Sequence, residues 1–289
     1  MENAMEFDRI EKRYKGFTLE PASFVLPRGY IMGLIGPNGA GKTTLIKLAL
    51  NLIRRQGGSV RVFGRDNLLH EKEIKTRIGF VPDEPKFHED ISLKNLKAAT
   101  APFYPNWNEK RFNELVEAFA LPLDKKFKKV SHGTKTKFAL ALALSHRPDL
   151  LILDEPTSGL DPAFRRELLG LLSDLLQDER ISVLFSTHLT SDLERIADHI
   201  TFIQNGRIVF SKPKDEILDT YVVVKGGREM LETGNRALFD GVRLHEYGFE
   251  ALTSRVDEVR RCLGEAITTE RATLDDVMVL MERRLDHAA

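Results

Sequence analysis

Gly36-Pro37-Asn38-Gly39-Ala40-Gly41-Lys42-Thr43 is the stretch that decides the fold of this chain. An apolar run, Tyr30 to Ile35, precedes it, and Thr44 opens a run of leucines and isoleucines at helical spacing. A glycine loop between a strand and a helix fits every position of the P-loop pattern. The glycines let backbone N–H groups approach phosphate oxygens, Lys42 neutralises those oxygens, and Thr43 offers a hydroxyl ligand to Mg²⁺. The stretch therefore predicts a site for nucleotide phosphates and Mg²⁺.

A second apolar run, Leu150 to Leu153, ends in the adjacent carboxylates Asp154 and Glu155. This arrangement is typical of a Walker B strand, and we expect it to lie beside the P-loop strand. Side chains alternate along a strand, so the two carboxylates should point in opposite directions and differ in role. We expect Asp154 to bind Mg²⁺ and Glu155 to act on the attacking water as a base or positioning group.

The pattern outside these motifs predicts an α/β fold in two domains, 1–218 and 219–289. Residues 5–35 read as antiparallel strands leading into the buried P-loop strand, and later short strands alternate with helices around a largely parallel sheet. Residues about 84–146 contain several prolines between segments of helical spacing, which indicates a helical insertion. The second domain is a small α+β unit. The predicted later strands are 58–63, 77–81, 149–154, 181–186, 199–204, 221–224, 242–244 and 266–268, and the predicted C-terminal helices are 253–263 and 274–285.

The composition excludes several other classes of protein. The chain has 43 Lys plus Arg against 43 Asp plus Glu, so it lacks the positive charge of a protein that coats nucleic acid. A hydrophobic content of 42% argues against intrinsic disorder. One cysteine forms no intramolecular disulfide, and neither a secretion signal nor a long apolar span is recognisable. We expect a cytoplasmic protein that reaches a membrane only through a partner.

The order of the motifs over residues 5–215 resembles the ATP-binding subunit of ABC transporters. Pro156 to Asp161 is similar to that family's D-loop, and Ser186-Thr187-His188 is similar to its switch-histidine segment. Tyr14 resembles the aromatic residue that stacks on adenine. The resemblance implies a P-loop NTPase fold with an antiparallel β subdomain and a helical subdomain, and ATP with Mg²⁺ as ligands. It implies that the following residues bind ATP: Tyr14, Gly36, Pro37, Asn38, Gly39, Ala40, Gly41, Lys42, Thr43, Thr44, Asp83, Ser131, His132, Gly133, Asp154 and Asp161.

The signature segment departs from the family pattern. The family usually has Leu-Ser-Gly-Gly-Gln, where this chain has Val130-Ser131-His132-Gly133-Thr134. Ser131 can cap the following helix, whose N-terminus would point at the γ-phosphate of ATP on the opposite subunit. His132 replaces a glycine, and its side chain either adds a hydrogen-bond donor or crowds the phosphate.

A second departure lies at Asp83, where the family normally has glutamine. An aspartate still offers Mg²⁺ an oxygen, but it lacks the amide donor and adds a charge. Asp161 is either a helix cap followed by Pro162 or a residue of the dimer interface, and the resemblance favours the interface. His188 is the expected γ-phosphate contact, so Glu155 and His188 are the candidate catalytic residues. The candidate metal ligands are Thr43, Asp83 and Asp154.

The resemblance implies a motor subunit that dimerises around two ATP molecules and drives a separate integral membrane permease. The second ATPase subunit is either an identical chain or a paralogue, and the features look most like bacterial antibiotic or lantibiotic export subunits. The chain would then lie at the inner face of the cell membrane, bound to its permease. Phe87, Phe103, Tyr104 and Trp107 either line a groove for the permease or belong to the core. The alternatives are a soluble ABC ATPase acting on ribosomes or nucleic acid, and a kinase that shares only the P-loop.

Overall fold

The computed structural model describes residues 3–175, 181–232 and 235–285. Its elements are named here in chain order, with strands and helices numbered separately. The strands are β1 (Asn3–Tyr14), β2 (Phe17–Pro27), β3 (Ile31–Ile35), β4 (Gly57–Val62), β5 (Arg65–Asp66), β6 (Ile78–Val81), β7 (Leu150–Asp154), β8 (Ser182–Thr187), β9 (His199–Gln204), β10 (Arg207–Pro213), β11 (Val222–Gly226), β12 (Gly241–His245), β13 (Gly248–Thr253) and β14 (Thr268–Arg271). The helices are α1 (Lys42–Ala49), α2 (Glu71–Lys75), α3 (Leu93–Thr100), α4 (Glu109–Ala118), α5 (His132–Ser145), α6 (Pro162–Leu175), α7 (Thr190–Ile196), α8 (Lys214–Thr220), α9 (Glu229–Glu232), α10 (Val256–Leu263) and α11 (Leu274–Leu285).

A six-stranded sheet in the order β10-β9-β3-β8-β7-β6 forms the centre of the molecule. The strands from β9 to β6 are parallel, and β10 pairs with β9 in antiparallel fashion. The P-loop strand β3 lies between β8 and β9, which are both much later in the chain. The carboxyl ends of β3, β8 and β7 meet at one edge, where Ile35 pairs with Thr187, and Asp154 with Ser186.

Alternating side chains of the central sheet enter two separate cores. Ile31 and Ile35 of β3 pack on the side of α3 to α7, and Met32 and Leu34 pack on the side of α1 and the antiparallel sheet β2-β1-β4-β5. Because these strands are buried on both faces, they are almost uniformly apolar in sequence. The α/β fold class predicted from the sequence, with an antiparallel sheet and a helical segment, is confirmed.

The C-terminal residues form a second antiparallel sheet in the order β12-β13-β11-β14. Val224 and Ala251 contribute to a small core with Val259 of α10, whereas their neighbours Val223 and Leu252 join the large core together with α11. Helix α11 thus packs both against its own sheet and against α7. The domain boundary at residues 218 and 219 remains a prediction.

Some local expectations require correction. Strands β5 and β10 were not predicted, and neither was β13, whose Glu-Ala-Leu sequence favours a helix. The strand expected at 266–268 begins instead at Thr268, after a short 3-10 turn over Gly264–Ala266. The helix expected from residue 253 begins at Val256, because residues 248–253 pair with β11 and β12 instead.

Across the residues that the structure describes, no helix combines the length and the apolar character needed to cross a bilayer.

Candidate functional site

The P-loop turns tightly at the end of β3 because two of its glycines leave no room for a side chain. A Cβ atom at Gly36 would lie 2.1 Å from the carbonyl oxygen of Ile203, and one at Gly41 would lie 3.0 Å from the ring of Phe17. Both glycines have positive φ angles, 154° and 116°. Helix α1 starts directly after Gly41, so its free N–H groups point into the loop. Asn38 and Gly39 are exposed at the tip, Pro37 and Thr44 are partly buried, and Ala40 is buried.

Lys42 lies inside the loop and is only 6% exposed. Its Nζ atom donates hydrogen bonds to the carbonyl oxygens of Gly36, at 2.7 Å, and Pro37, at 3.3 Å. The same ammonium group forms an ion pair at 3.3 Å with Oε1 of Glu155. The lysine charge is therefore balanced by loop carbonyls and one carboxylate.

Asp154 connects the P-loop helix with the central sheet. Its Oδ2 atom accepts a hydrogen bond from the Thr43 hydroxyl at 2.9 Å, and its Oδ1 atom accepts one from the Ser186 hydroxyl at 2.8 Å. The expectation that β7 lies beside β3 is wrong, because β8 lies between them. The contact forms across β8 because that strand has only the small Ser186 side chain opposite Asp154.

The prediction that Asp154 and Glu155 point in opposite directions is also wrong. Strand β7 ends at Asp154, and Glu155 has a φ angle of +48°, so strand alternation no longer applies to it. Both carboxylates face the P-loop: Asp154 reaches Thr43, and Glu155 reaches Lys42. A positive φ at a residue other than glycine is uncommon and concentrates at functional sites.

Glu155 joins Lys42 to His188. Its Oε2 atom lies 2.8 Å from the Nδ1 atom of His188 and 3.4 Å from the His188 backbone nitrogen, which donates to it. The Glu155 side chain is 12% exposed and that of His188 is 40% exposed. Three charged or titratable side chains from separate segments thus meet at one edge of the sheet.

Asp83 follows strand β6 at the same edge. Burial raises its pKa above the usual value, and the nearby carboxylates of Asp154 and Glu155 raise it further, while His132 lowers it. Carboxylates that lie close together repel one another, and a bound divalent cation reduces this repulsion. The structure therefore brings Asp83 into the electrostatic field of the two strand-end carboxylates.

Tyr14 ends β1 and is 44% exposed. Its ring centroid lies 6.5 Å from that of Phe17, the residue whose ring lies against Gly41. The Lys12 ammonium lies 5.4 Å above the Tyr14 ring. An exposed aromatic face with a cation beside the P-loop can stack on a nucleobase.

The signature segment forms the N-terminus of α5. The Ser131 hydroxyl accepts a hydrogen bond from the Thr134 amide at 3.2 Å, as a helix cap does. Ser131 and His132 are exposed, and Gly133 is partly buried. Over the described ranges, no hydrogen bond or ion pair joins Ser131, His132 or Gly133 to the P-loop of the same chain.

Asp161 caps helix α6. Its Oδ1 atom accepts hydrogen bonds from the backbone amides of Phe164, at 2.9 Å, and Ala163, at 3.1 Å. These bonds, with that of Phe164 the stronger, lower the pKa of Asp161. The capping function inferred from the Asp-Pro sequence is present, and the interface function stays a prediction.

Gly206 is a residue of the site that sequence reasoning did not single out, and Ser186 was quoted there only as part of the switch-histidine segment, without a role of its own. Gly206 lies in the β9–β10 turn, where its N–H donates to Ala40 of the P-loop at 3.0 Å and its carbonyl accepts from Glu20 at 2.8 Å. A Cβ atom there would lie 1.9 Å from the Thr18 carbonyl oxygen. Asn-Gly between two apolar runs is a hairpin signal that could have identified this turn.

Comparisons with known proteins agree with this geometry. The family described as "ABC transporter" matches residues 19–158. The chain is 34% identical over 192 residues to the bacitracin transport ATP-binding protein BcrA of Bacillus licheniformis, with 66% of this chain and 63% of that protein covered. It is 33% identical over 215 residues to the lantibiotic transport ATP-binding protein SrtF of Streptococcus pyogenes, with 73% and 91% covered. The chain thus spans slightly under two thirds of BcrA and most of SrtF.

Solved structures show the same architecture. A structure described as the ATP binding subunit of an ABC transporter superposes with a TM-score of 0.67 at 28% identity, over 75% of this chain and 92% of that one. The structure of cbiO1 from Clostridium perfringens superposes with a TM-score of 0.63 at 21% identity, over 81% and 95%, which supports the fold alone.

Proposed function

Since this chain belongs to the family of ABC transporter ATP-binding subunits, we propose that its P-loop edge is the hydrolytic site of an export motor. The family hydrolyses ATP. The observation that carries the residue assignment is the position of Glu155, which contacts Lys42 on one side and His188 on the other.

The P-loop residues Gly36 to Thr44 would hold the phosphates of ATP, and Tyr14 would stack on adenine. The Lys42 ammonium is held by carbonyl oxygens and by Glu155. A terminal phosphate carries more negative charge than these groups and would draw Lys42 away from Glu155. Nucleotide binding would thereby free the Glu155 carboxylate to accept a proton from the attacking water. His188, held through Nδ1, keeps Nε2 available to the γ-phosphate.

The residues also fit a Mg²⁺ ion. A hydroxyl, Thr43, is hydrogen-bonded to a buried carboxylate, Asp154, and a third oxygen group, Asp83, lies near enough to interact with that carboxylate. Oxygen ligands of this kind, completed by phosphate oxygens, are those that Mg²⁺ takes in nucleotide sites. The ion would supply positive charge to the β- and γ-phosphate oxygens.

A second subunit would complete each ATP site. Ser131 and Gly133 lie at the N-terminus of a 14-residue helix, and Ser131 is exposed. The positive end of this helix suits a phosphate that reaches it from outside the chain. We propose that two ATPase subunits close around two ATP molecules, because the γ-phosphate is contacted by both subunits only in the closed state. His132 and Asp161 would lie at this interface.

The permease would contact the chain between α2 and the helical segment. Phe103 is 76% exposed and, with Tyr104, borders a cavity of about 460 Å³ that also has Lys72 and Thr76 in its wall. Phe87 instead packs edge-on against Phe127 and Phe138. Exposed aromatic surface is typical of protein contact sites. We propose that this cavity receives a short segment of the permease, which would hold the chain at the inner face of the membrane.

Trp107 is a poor candidate for this contact. Its ring lies 5.5 Å from that of Phe112, and its Nε1 donates to Glu109. We therefore propose that Trp107 serves packing and that Phe103 and Tyr104, with the residues around them, make the permease contact.

The test is Mg²⁺-dependent phosphate release by the purified chain over a wide range of protein concentration. We expect activity that rises faster than linearly, because two subunits are needed for each site. Glu155→Gln should bind ATP but lose at least about 100-fold in turnover, since a general base contributes that much or more. Ser131→Arg should abolish phosphate release by blocking the interface.

Two results would refute the proposal. One is Glu155→Gln turning over as fast as the wild-type chain. The other is formation of ADP with the phosphoryl group transferred to an acceptor instead of released as free phosphate, which would indicate a kinase. Should the chain bind ATP and turn over only after its permease or a second ATPase is added, the active dimer is a heteromeric assembly rather than a homodimer.

A further inference from the structure

The C-terminal unit, which consists of strands β11 to β14 with helices α9 to α11, is hydrogen-bonded to α7, the helix that follows His188. Helix α7 starts at Thr190, whose hydroxyl donates to Oδ1 of Asp275 in α11 at 3.1 Å. The amide of Leu274, the first residue of α11, donates to Oε1 of Glu194 at 2.9 Å. The start of α11 is therefore fixed to α7 by two hydrogen bonds, which use the side chains of Thr190 and Glu194 from α7 and that of Asp275 from α11. Thr190 is only 5% exposed, whereas its acceptor Asp275 is exposed, so the bond is partly shielded from water.

Helix α7 depends on these contacts because it lacks a cap of its own. It has only seven residues, and its N-cap residue, Leu189, makes no side-chain capping bond. Isolated helices of this length are unstable in water, so the position of α7 is set by what it packs against. His188 lies immediately before this cap. Any freedom at the first turn of α7 therefore moves the imidazole relative to Glu155.

The same helix is also joined to α6. The Arg165 guanidinium donates through Nε to Oδ1 of Asp192 at 2.7 Å and through Nη2 to the Ser191 hydroxyl at 3.0 Å. Asp192 is 2% exposed, and removal of its partner would leave a buried charge. Asp161, the cap of α6, lies one turn before Arg165. Helix α7 is thus joined by two hydrogen bonds to α6 and by two to the C-terminal unit.

The far end of α11 reaches the P-loop side of the site. Gln204 at the end of β9 donates through Nε2 to the backbone carbonyl of Glu282 at 3.0 Å. The turn that follows Gln204 contains Gly206, which donates to Ala40 of the P-loop. Helix α11 therefore contacts α7, which follows His188, and the end of β9, whose following turn is hydrogen-bonded to the P-loop.

We propose that Thr190 and Asp275 are positioning residues for ATP hydrolysis: their hydrogen bond lets the C-terminal unit hold α7, and with it His188, against Glu155. This inference rests on the proposed function, because it takes Glu155 and His188 as the reacting groups. Thr190 touches neither ATP nor water in this role. It acts through the geometry of the segment that begins at His188.

The test compares matched variants of the full-length chain. Thr190→Val keeps the shape of the side chain and removes the donor, whereas Thr190→Ser keeps the donor. Asp275→Ala removes the acceptor, and Asp275→Asn keeps it. We expect Thr190→Val and Asp275→Ala each to lower kcat about fivefold, the effect of one lost hydrogen bond, with KM for MgATP within about twofold of wild type. Thr190→Ser and Asp275→Asn should retain wild-type kcat, and the Thr190→Val/Asp275→Ala double variant should be no slower than either single one.

Amide hydrogen exchange over residues 187–196 of the nucleotide-free chain provides a readout independent of turnover. Thr190→Val should accelerate this exchange, and Thr190→Ser should not. The inference is overturned if Thr190→Val keeps wild-type kcat, if KM rises in place of a fall in kcat, or if the double variant multiplies the single effects. If the wild-type chain shows no ATP turnover in any assembly, the proposed function is refuted instead. Unchanged amide hydrogen exchange in Thr190→Val would in that case also overturn the Thr190–Asp275 contact.

Discussion

His146 makes the stability of the chain sensitive to mild acid. It follows helix α5, is 1% exposed, and stacks on Tyr104 with ring centroids 3.9 Å apart and planes 12° from parallel. Among the described residues, neither ring nitrogen has a hydrogen-bond partner. Burial therefore lowers the pKa of His146 from its usual 6.5 to about 4.

The direction of the effect follows from proton linkage. Above pH 6.5 the imidazole is neutral in both the folded and the unfolded chain, so it contributes no pH dependence. As the pH falls below 6.5, the His146 imidazole becomes protonated in the unfolded chain but stays neutral in the folded chain until the pH nears 4. The free energy of unfolding therefore decreases over this range. The loss reaches about 2 kcal/mol at pH 5 and levels off near 3 kcal/mol below pH 4, since each pKa unit corresponds to about 1.4 kcal/mol.

His146→Phe is the matched variant, because phenylalanine can keep the stack on Tyr104 and has no titratable group. Urea unfolding of both proteins at pH 7 and pH 5 gives the free energy of unfolding of each protein at each pH. We expect wild type to lose about 2 kcal/mol more than His146→Phe between these two conditions. The other titrating groups are shared by both proteins, so they cancel in the comparison.

An equal loss of stability in the two proteins would refute this reasoning. So would a His146 ring signal that titrates near its usual pKa in a nuclear magnetic resonance measurement of the folded chain. Either result would mean that the ring reaches water or a polar partner, and that its burial is incomplete in solution.

Three further predictions concern the ATP site and its surroundings. Tyr14→Ala should weaken ATP binding about tenfold by titration calorimetry while Tyr14→Phe binds normally, because base stacking needs the ring and not the hydroxyl; equal binding by all three proteins would contradict the stacking role. Asp161→Ala should lower the free energy of unfolding by about 1 kcal/mol through loss of the α6 cap. Asp161→Asn keeps a capping oxygen, so slower phosphate release by this variant at unchanged stability would show the interface role. Equal destabilisation by the two variants would rule out capping as the source of the stability. Phe103→Asp should prevent co-purification with the permease while leaving phosphate release by the isolated chain within about twofold of wild type; a variant that still binds the permease would place that contact elsewhere.

The sequence predicts best the parts of the site that one continuous segment builds. The P-loop, the cap at Ser131 and the cap at Asp161 each depend on residues within a few positions of one another, and the structure has all three local geometries. Local rules of backbone conformation and capping are sufficient there. The order of the motifs also indicated the family before any geometry was known.

The errors arise where distant segments determine the geometry. Strand alternation suggested that Glu155 points away from Asp154, but the chain leaves the strand at that residue and takes a positive φ angle. The position of β8 between β3 and β7 is a matter of topology, which apolar runs alone do not specify. The Thr190–Asp275 bond joins residues 85 positions apart, and no local pattern marks either one as a partner.

The position of β3 in the sheet has a consequence for the synthesis of this protein. The P-loop strand is made early, but both of its neighbours, β8 and β9, come from the last part of the ATPase segment, and so does Gly206, which binds the back of the loop. A nascent chain that ends before Ser182 has the whole P-loop sequence and neither strand to hold it. ATP therefore has no finished pocket to stabilise while the first half of the chain emerges from the ribosome, and nucleotide can assist folding only once translation has passed the β9–β10 turn.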